Sequence, residues 1–228
     1  MYKRQILKNA QLQDGQHILD AGCGFGGPSI FFAKQLENVK IEAITIATKQ
    51  QQLMQQFIDK EQLYEKLSVK QRDYHKLSKY YEANSFDRVL FLESLGHANN
   101  IKQVIKGVHK ILKPNGLVYI KGYVKREVPR SDYAKYHKEG LKDMSKMFNY
   151  NTLDVYYTMY LLRKIGFDLV KMQEPTFITD NYEVNKSFAM STGIIVGNPK
   201  SFGIQWKYDY PPYVDPIEML FQKRAYSI

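Results

Sequence analysis

Residues 17–28 combine four glycines with a carboxylate, directly after a short apolar segment. Ile18, Leu19 and Ala21 predict a strand that is covered on both faces. The glycines that follow permit positive φ angles and let backbone N–H groups approach a ligand. Pro28 suits the first position of a helix, where its missing N–H is no loss. A strand, a glycine-rich turn and a helix in this order hold a nucleotide-like cofactor at the carboxyl end of a parallel sheet.

The glycine spacing alone leaves two classes of cofactor open. Gly22, Gly24 and Gly27 satisfy the dinucleotide pattern G-x-G-x-x-G. Asp20 argues against a dinucleotide, because a carboxylate at this position would repel a pyrophosphate and favours a ligand with an ammonium group, such as S-adenosylmethionine. A dinucleotide site would also need an acidic residue at the tip of the second strand, which ends instead on Thr45-Ile46. The residues therefore favour S-adenosylmethionine over a nicotinamide or a flavin. The alternative is that the glycines bind no ligand and only form a tight turn between the strand and the helix.

Apolar alternation and helical periodicity predict seven strands interleaved with helices. The strands are predicted near 16–21, 40–46, 67–72, 86–92, 117–123, 168–173 and 218–223, and the helices at 2–9, 28–37, 48–64, 101–112 and 152–165. Thr48 is predicted to cap the third helix, and the turn Lys113-Pro114-Asn115-Gly116 to end the fourth. This alternation predicts an α/β fold. We expect a Rossmann-like, doubly wound, seven-stranded, mostly parallel sheet with helices on both faces, in one domain over 1–228.

Two segments, 125–151 and 176–216, do not fit the alternation of strands and helices and are rich in Tyr, Phe and Met. Both follow strands late in the sheet, so they are placed to fold over its cofactor edge. We predict that they form an aromatic-rich lid over the substrate. The alternatives are a packed subdomain core or a dimer face.

The composition sets outer limits on the function. The chain has 228 residues, a formal net charge of +10 and one cysteine, Cys23. This charge suits an anionic substrate, an anionic membrane surface or nucleic acid. No apolar window is long enough to span a membrane, and a lone cysteine fits the reducing cytoplasm, which is the predicted location. The histidines lack the spacing of metal ligands, so no metal is predicted.

Residues 19–28 resemble motif I of the class I S-adenosylmethionine-dependent methyltransferases, and the resemblance covers about 16–171. The ending Gly26-Gly27-Pro28 is similar to the branch that includes sterol, tocopherol and isoprenyl diphosphate C-methyltransferases and some small-amine N-methyltransferases. Residues 45–50, Thr-Ile-Ala-Thr-Lys-Gln, are similar to the T-L-S-x-x-Q run of those families and of cyclopropane-forming mycolate enzymes. The resemblance implies S-adenosylmethionine as the cofactor.

The resemblance also implies which residues bind that cofactor. In the relatives, the Thr, the next residue and the Gln of the T-L-S-x-x-Q run meet the ribose, and the position of Asp73-Tyr74 usually contacts adenine. The implied cofactor-binding residues are Asp20, Gly22, Cys23, Gly24, Gly26, Thr45, Ile46, Gln50, Asp73, Tyr74 and Glu93.

Residues 92–98, Leu-Glu-Ser-Leu-Gly-His-Ala, resemble the E-x-x-x-H-x element of sterol and tocopherol methyltransferases. Methylation of an alkene carbon generates a carbocation, which needs a carboxylate or aromatic faces nearby and then a base. Glu93 and His97 are therefore the predicted catalytic residues. The alternatives are that Glu93 binds the ammonium of the cofactor and that His97 only closes a loop.

The predicted function is methylation of a small hydrophobic molecule, such as an isoprenoid, a sterol or a quinone, at carbon. The alternative is N-methylation of a small amine or phospho-amine. The sequence argues against nucleic acid as the substrate, because strand four ends in Glu93-Ser94-Leu95-Gly96 and not in the Asn- or Asp-Pro-Pro-Tyr run of base methylases. A non-catalytic partner subunit is a further alternative.

About 15 residues precede the first strand, whereas the relatives usually carry several helices there. We therefore expect a more open cofactor pocket, a pocket closed by the aromatic segments, or one completed by a partner chain. Contact with a membrane surface or a second copy of the chain is a related expectation.

Overall fold

The computed structural model describes residues 2–125, 133–173 and 214–225. The strands are β1 (His17–Ala21), β2 (Lys40–Thr45), β3 (Leu67–Gln71), β4 (Phe86–Leu92), β5 (Leu112–Lys125), β6 (Phe167–Gln173) and β7 (Val214–Lys223). The helices are α1 (Tyr2–Asn9), α2 (Gly27–Gln35), α3 (Thr48–Lys60), α4 (Leu77–Tyr80), α5 (Ile101–Ile111), α6 (Tyr133–Phe148) and α7 (Val155–Ile165). Two short 3₁₀ turns cover Tyr74–Lys76 and Leu95–His97.

The seven strands form one sheet in the order β3-β2-β1-β4-β5-β7-β6. β7 pairs antiparallel with β5 and β6, and the other neighbours pair in parallel. The chain moves outward from β1 through β2 to β3 and then returns to place β4 on the other side of β1. Ligands of open α/β sheets bind beside the carboxyl ends of the strands at such a switch point. The predicted fold class is confirmed.

Two apolar clusters cover the two faces of the sheet. One contains Ile6 of α1, Phe32 of α2 and Met54 of α3, and the other contains Val104 of α5 and Leu162 of α7. Burial of each large side chain of this kind stabilises the fold by about 1.5–3 kcal/mol. The face that holds α1, α2 and α3 also holds Tyr119 and Leu220, which form the pair two residues before Lys121 in the β5–β7 register.

Several predicted boundaries hold, and others are corrected. The helix predicted at 101–112 ends at Ile111, and β5 begins at the next residue, so the turn 113–116 lies inside β5 next to an irregularity in its pairing with β4.

Thr48 does not cap α3. Ala47 occupies the cap position, and the Thr48 hydroxyl accepts a hydrogen bond from Gln71 Nε2 at 3.1 Å instead.

The predicted lid segments are only partly described. Residues 133–148 form α6, a helix that the sequence analysis did not predict, and 214–216 belong to β7. Residues 126–132 and 174–213 lie outside the described residues. Within the described ranges, no helix has the length and apolar character to cross a membrane.

Candidate functional site

The glycine-rich loop between β1 and α2 has three glycines in the left-handed region. The φ angles are 88° at Gly22, 57° at Gly24 and 77° at Gly26, which is the N-cap of α2. A Cβ atom at Gly22 would lie 2.5 Å from Ser94 Cβ, whereas one at Gly24 would meet nothing within 4 Å. Gly22 is therefore required for close packing against the end of β4. Gly24 faces open space and leaves the backbone accessible to a ligand.

Cys23 lies in this loop as a packed side chain. Its thiol lies 3.7 Å from Met54 Sδ, and its N–H and that of Gly22 both donate to Ile44 O at 2.9 Å. Burial raises the pKa of the thiol far above its usual range, and the charge of Asp20 adds to the effect. Cys23 is therefore suited to packing and not to nucleophilic chemistry.

Asp20, at the end of β1, is completely buried. Its Oδ2 accepts a hydrogen bond from Ser29 Oγ at 2.5 Å, and its Oδ1 has no hydrogen-bond partner. Burial raises the pKa of this carboxyl to about 6, although the Ser29 hydrogen bond lowers it in part. An unpartnered carboxylate oxygen is costly in a protein interior, and a cationic ligand group would satisfy it.

The tip of β2 brings together the three residues that were predicted to meet a ribose. Thr45 Oγ1 donates to Gln50 Oε1 at 2.7 Å and accepts from the Ala47 N–H at 3.2 Å. The Ile46 side chain is 71% exposed although it is apolar. An exposed apolar side chain beside a polar pair can support the face of a sugar or a base.

The turn after β3 places Tyr74 across the glycine-rich loop. Its hydroxyl donates to Ser94 O at 3.1 Å, and its ring packs edge-on against Phe91. Asp73 caps the short turn and accepts hydrogen bonds from the His75 N–H and ring at 2.9 and 2.7 Å. Partial burial raises the pKa of Asp73, but the His75 hydrogen bonds outweigh burial and leave it below its usual value.

Glu93 follows β4 in a left-handed conformation with a φ of 59°. Its Oε1 accepts a hydrogen bond at 2.5 Å from the Nζ of Lys121, a β5 residue that is 2% exposed. Lys121 was not predicted as a site residue. Its signal in the sequence is a lysine that directly follows the apolar run Leu117-Val118-Tyr119-Ile120 and precedes Gly122.

His97 and Tyr150 form a wall next to Glu93. Their rings meet edge to face at 5.1 Å, and His97 Nδ1 lies 2.9 Å from Asn149 O. A side chain at Gly96 or at Gly122 would overlap Tyr150. The two glycines therefore leave the space that the Tyr150 side chain occupies. Tyr150 comes from the first predicted lid segment; the structure brings it to the carboxyl edge of the sheet together with Glu93 and His97.

A basic residue of α1 completes this edge. Lys3 Nζ lies 3.7 Å from the position that a Cβ at Gly27 would take, at the first residue of α2. The N-terminus of a helix and a lysine ammonium both favour a carboxylate ligand. Sequence reasoning missed Lys3, since the sequence alone does not show that α1 packs beside the glycine-rich loop.

The chain spans less than two thirds of the length of the first curated relatives it matches. A methyltransferase of Streptomyces halstedii, GfsG, is 26% identical over 75% of this chain and 59% of its own length. The sterol 24-C-methyltransferase ERG6B of Gibberella zeae is 27% identical over 58% of this chain and 34% of its own length. N-methyltransferase 4 of Papaver somniferum is 31% identical over 46% of this chain and 29% of its own length.

Solved structures share the fold at low sequence identity. The geranyl diphosphate C-methyltransferase of Streptomyces coelicolor superposes with a TM-score of 0.75 and 11% identity, over 97% of this chain and 78% of its own. The family model of mycolic acid cyclopropane synthetase matches residues 2–159, which include β1 to β5 and the residues described above. The match confirms the resemblance to class I S-adenosylmethionine-dependent methyltransferases, and the chain belongs to the mycolic acid cyclopropane synthetase family.

Proposed function

We propose that this chain transfers a methyl group from S-adenosylmethionine to a small, hydrophobic molecule, at carbon. The single observation that carries the proposal is Asp20, a fully buried carboxylate with one unpartnered oxygen at the switch point of the sheet. An anionic atom in this place suits the ammonium of an amino acid and disfavours a phosphate. The glycine-rich loop, family membership and the methyltransferase relatives support the same cofactor.

The described residues offer complementary groups for each part of the cofactor. Asp20 would take the ammonium, and the start of α2 with Lys3 would take the carboxylate. Thr45 and Gln50 would meet the ribose, and Ile46 with Asp73-Tyr74 the adenine. When bound, S-adenosylmethionine supplies an electrophilic methyl group.

Glu93 is the candidate base for the acceptor. Lys121 already neutralises this carboxylate, so Asp20 suits the cofactor's ammonium better than Glu93 does. The π electrons of an acceptor alkene would form the bond from one of its carbons to the methyl group, while the C–S bonding pair stays with the departing sulfur. The other alkene carbon would then carry the positive charge. Glu93 would then remove a proton from the neighbouring carbon, and that C–H electron pair would form the new double bond. The rings of Tyr74 and Tyr150 would line the path of the cation.

N-methylation is the second candidate, supported by the exposed imidazole of His97 and the N-methyltransferase of Papaver somniferum among the relatives. In that reaction the nitrogen lone pair bonds to the methyl group, and the amine proton leaves to a base. His97 is anchored through one ring nitrogen, which leaves the other side of the ring toward solvent as a route for the proton.

The first experiment is calorimetric titration with S-adenosylmethionine, followed by methyl transfer from the labelled cofactor. The acceptor probes are geranyl diphosphate, a sterol with a double bond at C24 and the secondary amine coclaurine. Label bonded to carbon supports the first proposal, and label on nitrogen replaces it with the second. Failure of the wild-type protein to bind S-adenosylmethionine would overturn both.

A further inference from the structure

Lys121 is a buried cation that follows a run of buried apolar residues in β5. The three preceding residues of β5, Val118, Tyr119 and Ile120, are buried, and Lys121 itself is only 2% exposed. Removal of an ammonium from water costs several kcal/mol unless a carboxylate compensates it. A methionine of similar volume would fill this position at lower cost. The lysine is therefore not explained by packing.

Glu93 and Lys121 are joined through both main chain and side chain. The Glu93 N–H donates to Lys121 O at 2.7 Å, and Lys121 Nζ donates to Glu93 Oε1 at 2.5 Å. These bonds hold Glu93 in the left-handed conformation, which is unfavourable for a residue with a side chain. Its carboxylate is 23% exposed, so it remains accessible at the edge of the sheet.

Glu218 lies directly opposite Lys121 in the β5–β7 register. It is also buried, but its Oε2 accepts hydrogen bonds from Asn9 Nδ2 at 2.5 Å and Gln173 Nε2 at 2.7 Å. Glu218 thus has donors of its own from α1 and β6. The salt bridge of Lys121 is made with the carboxylate at the site, and Glu218 provides a natural control.

The negative charge of Glu93 acts on two nearby tyrosines. Burial raises the pKa of Tyr150 to about 12 and also raises the pKa of Tyr123, and the charge of Glu93 adds to both shifts. Tyr150 Oη also accepts a hydrogen bond from the Tyr123 N–H at 3.2 Å. Glu93, Tyr123 and Tyr150 therefore form one electrostatically connected group, with Lys121 as its buried cation.

We propose that Lys121 is a positioning residue for methyl transfer, which holds the Glu93 carboxylate in one orientation toward the acceptor. The inference rests on the proposed function and assigns to this lysine a role through Glu93, without contact with the acceptor. A base fixed by a buried cation needs no reorganisation when the acceptor proton becomes acidic.

The test is a double-mutant cycle with Lys121→Met and Glu93→Gln. We expect Glu93→Gln to lower kcat by about 100-fold and Lys121→Met by about 10-fold, since the lysine acts only through the base. KM for the acceptor and the dissociation constant of S-adenosylmethionine should change by less than about twofold in both. In the Glu93→Gln background, Lys121→Met should cause no further loss of kcat. Lys125→Met, at the exposed end of the same strand, and Glu218→Gln are the controls and should retain wild-type kcat.

An acceptor-free measurement tests the ion pair itself. In protein labelled with ¹⁵N-lysine, the buried Lys121 ammonium should give a slowly exchanging NMR signal that is absent in Lys121→Met. The signal should shift strongly in Glu93→Gln and little in Glu218→Gln. If Lys121→Met does not fold, Lys121→Arg takes its place in the cycle, with a smaller loss of kcat that again vanishes in the Glu93→Gln background.

The outcomes separate the two proposals. A wild-type protein that does not bind S-adenosylmethionine overturns the proposed function. An active wild type with equal kcat in Lys121→Met overturns only the role of Lys121, as does a loss of kcat that adds fully to that of Glu93→Gln.

Discussion

Ser29, in the first turn of α2, donates its hydroxyl to one oxygen of the Asp20 carboxylate at 2.5 Å, and the other oxygen of that carboxylate has no protein partner. The arrangement orients Asp20 but leaves half of its hydrogen-bonding capacity unused in a fully buried position. Such a residue destabilises the ligand-free protein and gains most from a ligand that supplies a cation.

Replacement of Asp20 by Asn should separate stability from binding. The pKa of Asp20 is raised from 3.8 to about 6, so this group stabilises the fold fully below pH 4 and loses its contribution as the pH rises through 6. The loss amounts to about 3 kcal/mol at pH 7.5. Asp20→Asn should therefore unfold at a higher temperature than the ligand-free wild type at pH 7.5, and not at pH 4.

The same variant should bind S-adenosylmethionine at least about 10-fold more weakly in calorimetric titration. Ser29→Ala is the matched control, because it removes the hydroxyl that donates to Asp20 Oδ2 but keeps the carboxylate. Unchanged affinity in Asp20→Asn would remove the ammonium assignment.

Gly24→Ala should weaken cofactor binding without unfolding the protein. Its φ of 57° imposes a backbone cost of about 1–2 kcal/mol on alanine, but the new methyl group would meet no protein atom within 4 Å. Gly15→Ala is the control, since Gly15 has a φ of 76° and equally open surroundings away from the site. We expect similar losses of thermal stability in the two variants and a weaker affinity for S-adenosylmethionine in Gly24→Ala alone.

Gly96→Ala should displace Tyr150 and change acceptor recognition. A Cβ at Gly96 would overlap the Tyr150 ring, so the variant should lose about 1–3 kcal/mol of unfolding free energy and show an altered KM for the acceptor. In the Tyr150→Ala background the same substitution should cost much less, because the clash is gone. Chemical denaturation of the four proteins measures this coupling. Additive losses of unfolding free energy would show that Tyr150 does not pack against Gly96.

Glu42, in β2, should make the stability of the protein depend on pH. A hydrogen bond from the His17 ring, followed by the pairing with Lys70 at 2.6 Å, lowers the pKa of Glu42 from 4.5 to about 2 despite partial burial. Its contribution is present above pH 4.5 and lost as the pH falls through 2. Glu42→Gln should cost about 1–2 kcal/mol at pH 7, after allowance for solvent screening, and almost nothing at pH 2. Urea denaturation at the two pH values measures the difference.

The sequence was sufficient for the fold class because the signals that define it are local. β1 is an apolar segment that ends at glycines, β4 is predicted at its observed bounds, and α5 has a continuous apolar face. The glycine-rich loop was predictable for the same reason, since positive φ angles at Gly22, Gly24 and Gly26 favour glycine.

Local patterns did not predict α6, because apolar and polar residues in the aromatic-rich segment also suit a loop. The cap of α3 was predicted wrongly at Thr48. The hydroxyl of this residue has a long-range partner, Gln71, and a helix cap is only one of the hydrogen bonds available to a threonine.

Tertiary structure alone decided the partners of the site residues. Lys121 and Glu93 are 28 positions apart, and Tyr150 and Gly96 are 54 positions apart. Local sequence patterns therefore do not predict either contact. Parallel pairing of β4 with β5 brings the lysine beside the carboxylate, and the missing side chains at Gly96 and Gly122 admit the ring. The sequence by itself determined the glycine-rich loop and the carboxylate that precedes it, because backbone geometry and charge are local properties. The fold decided which charges meet, because burial and pairing depend on segments that are distant along the chain.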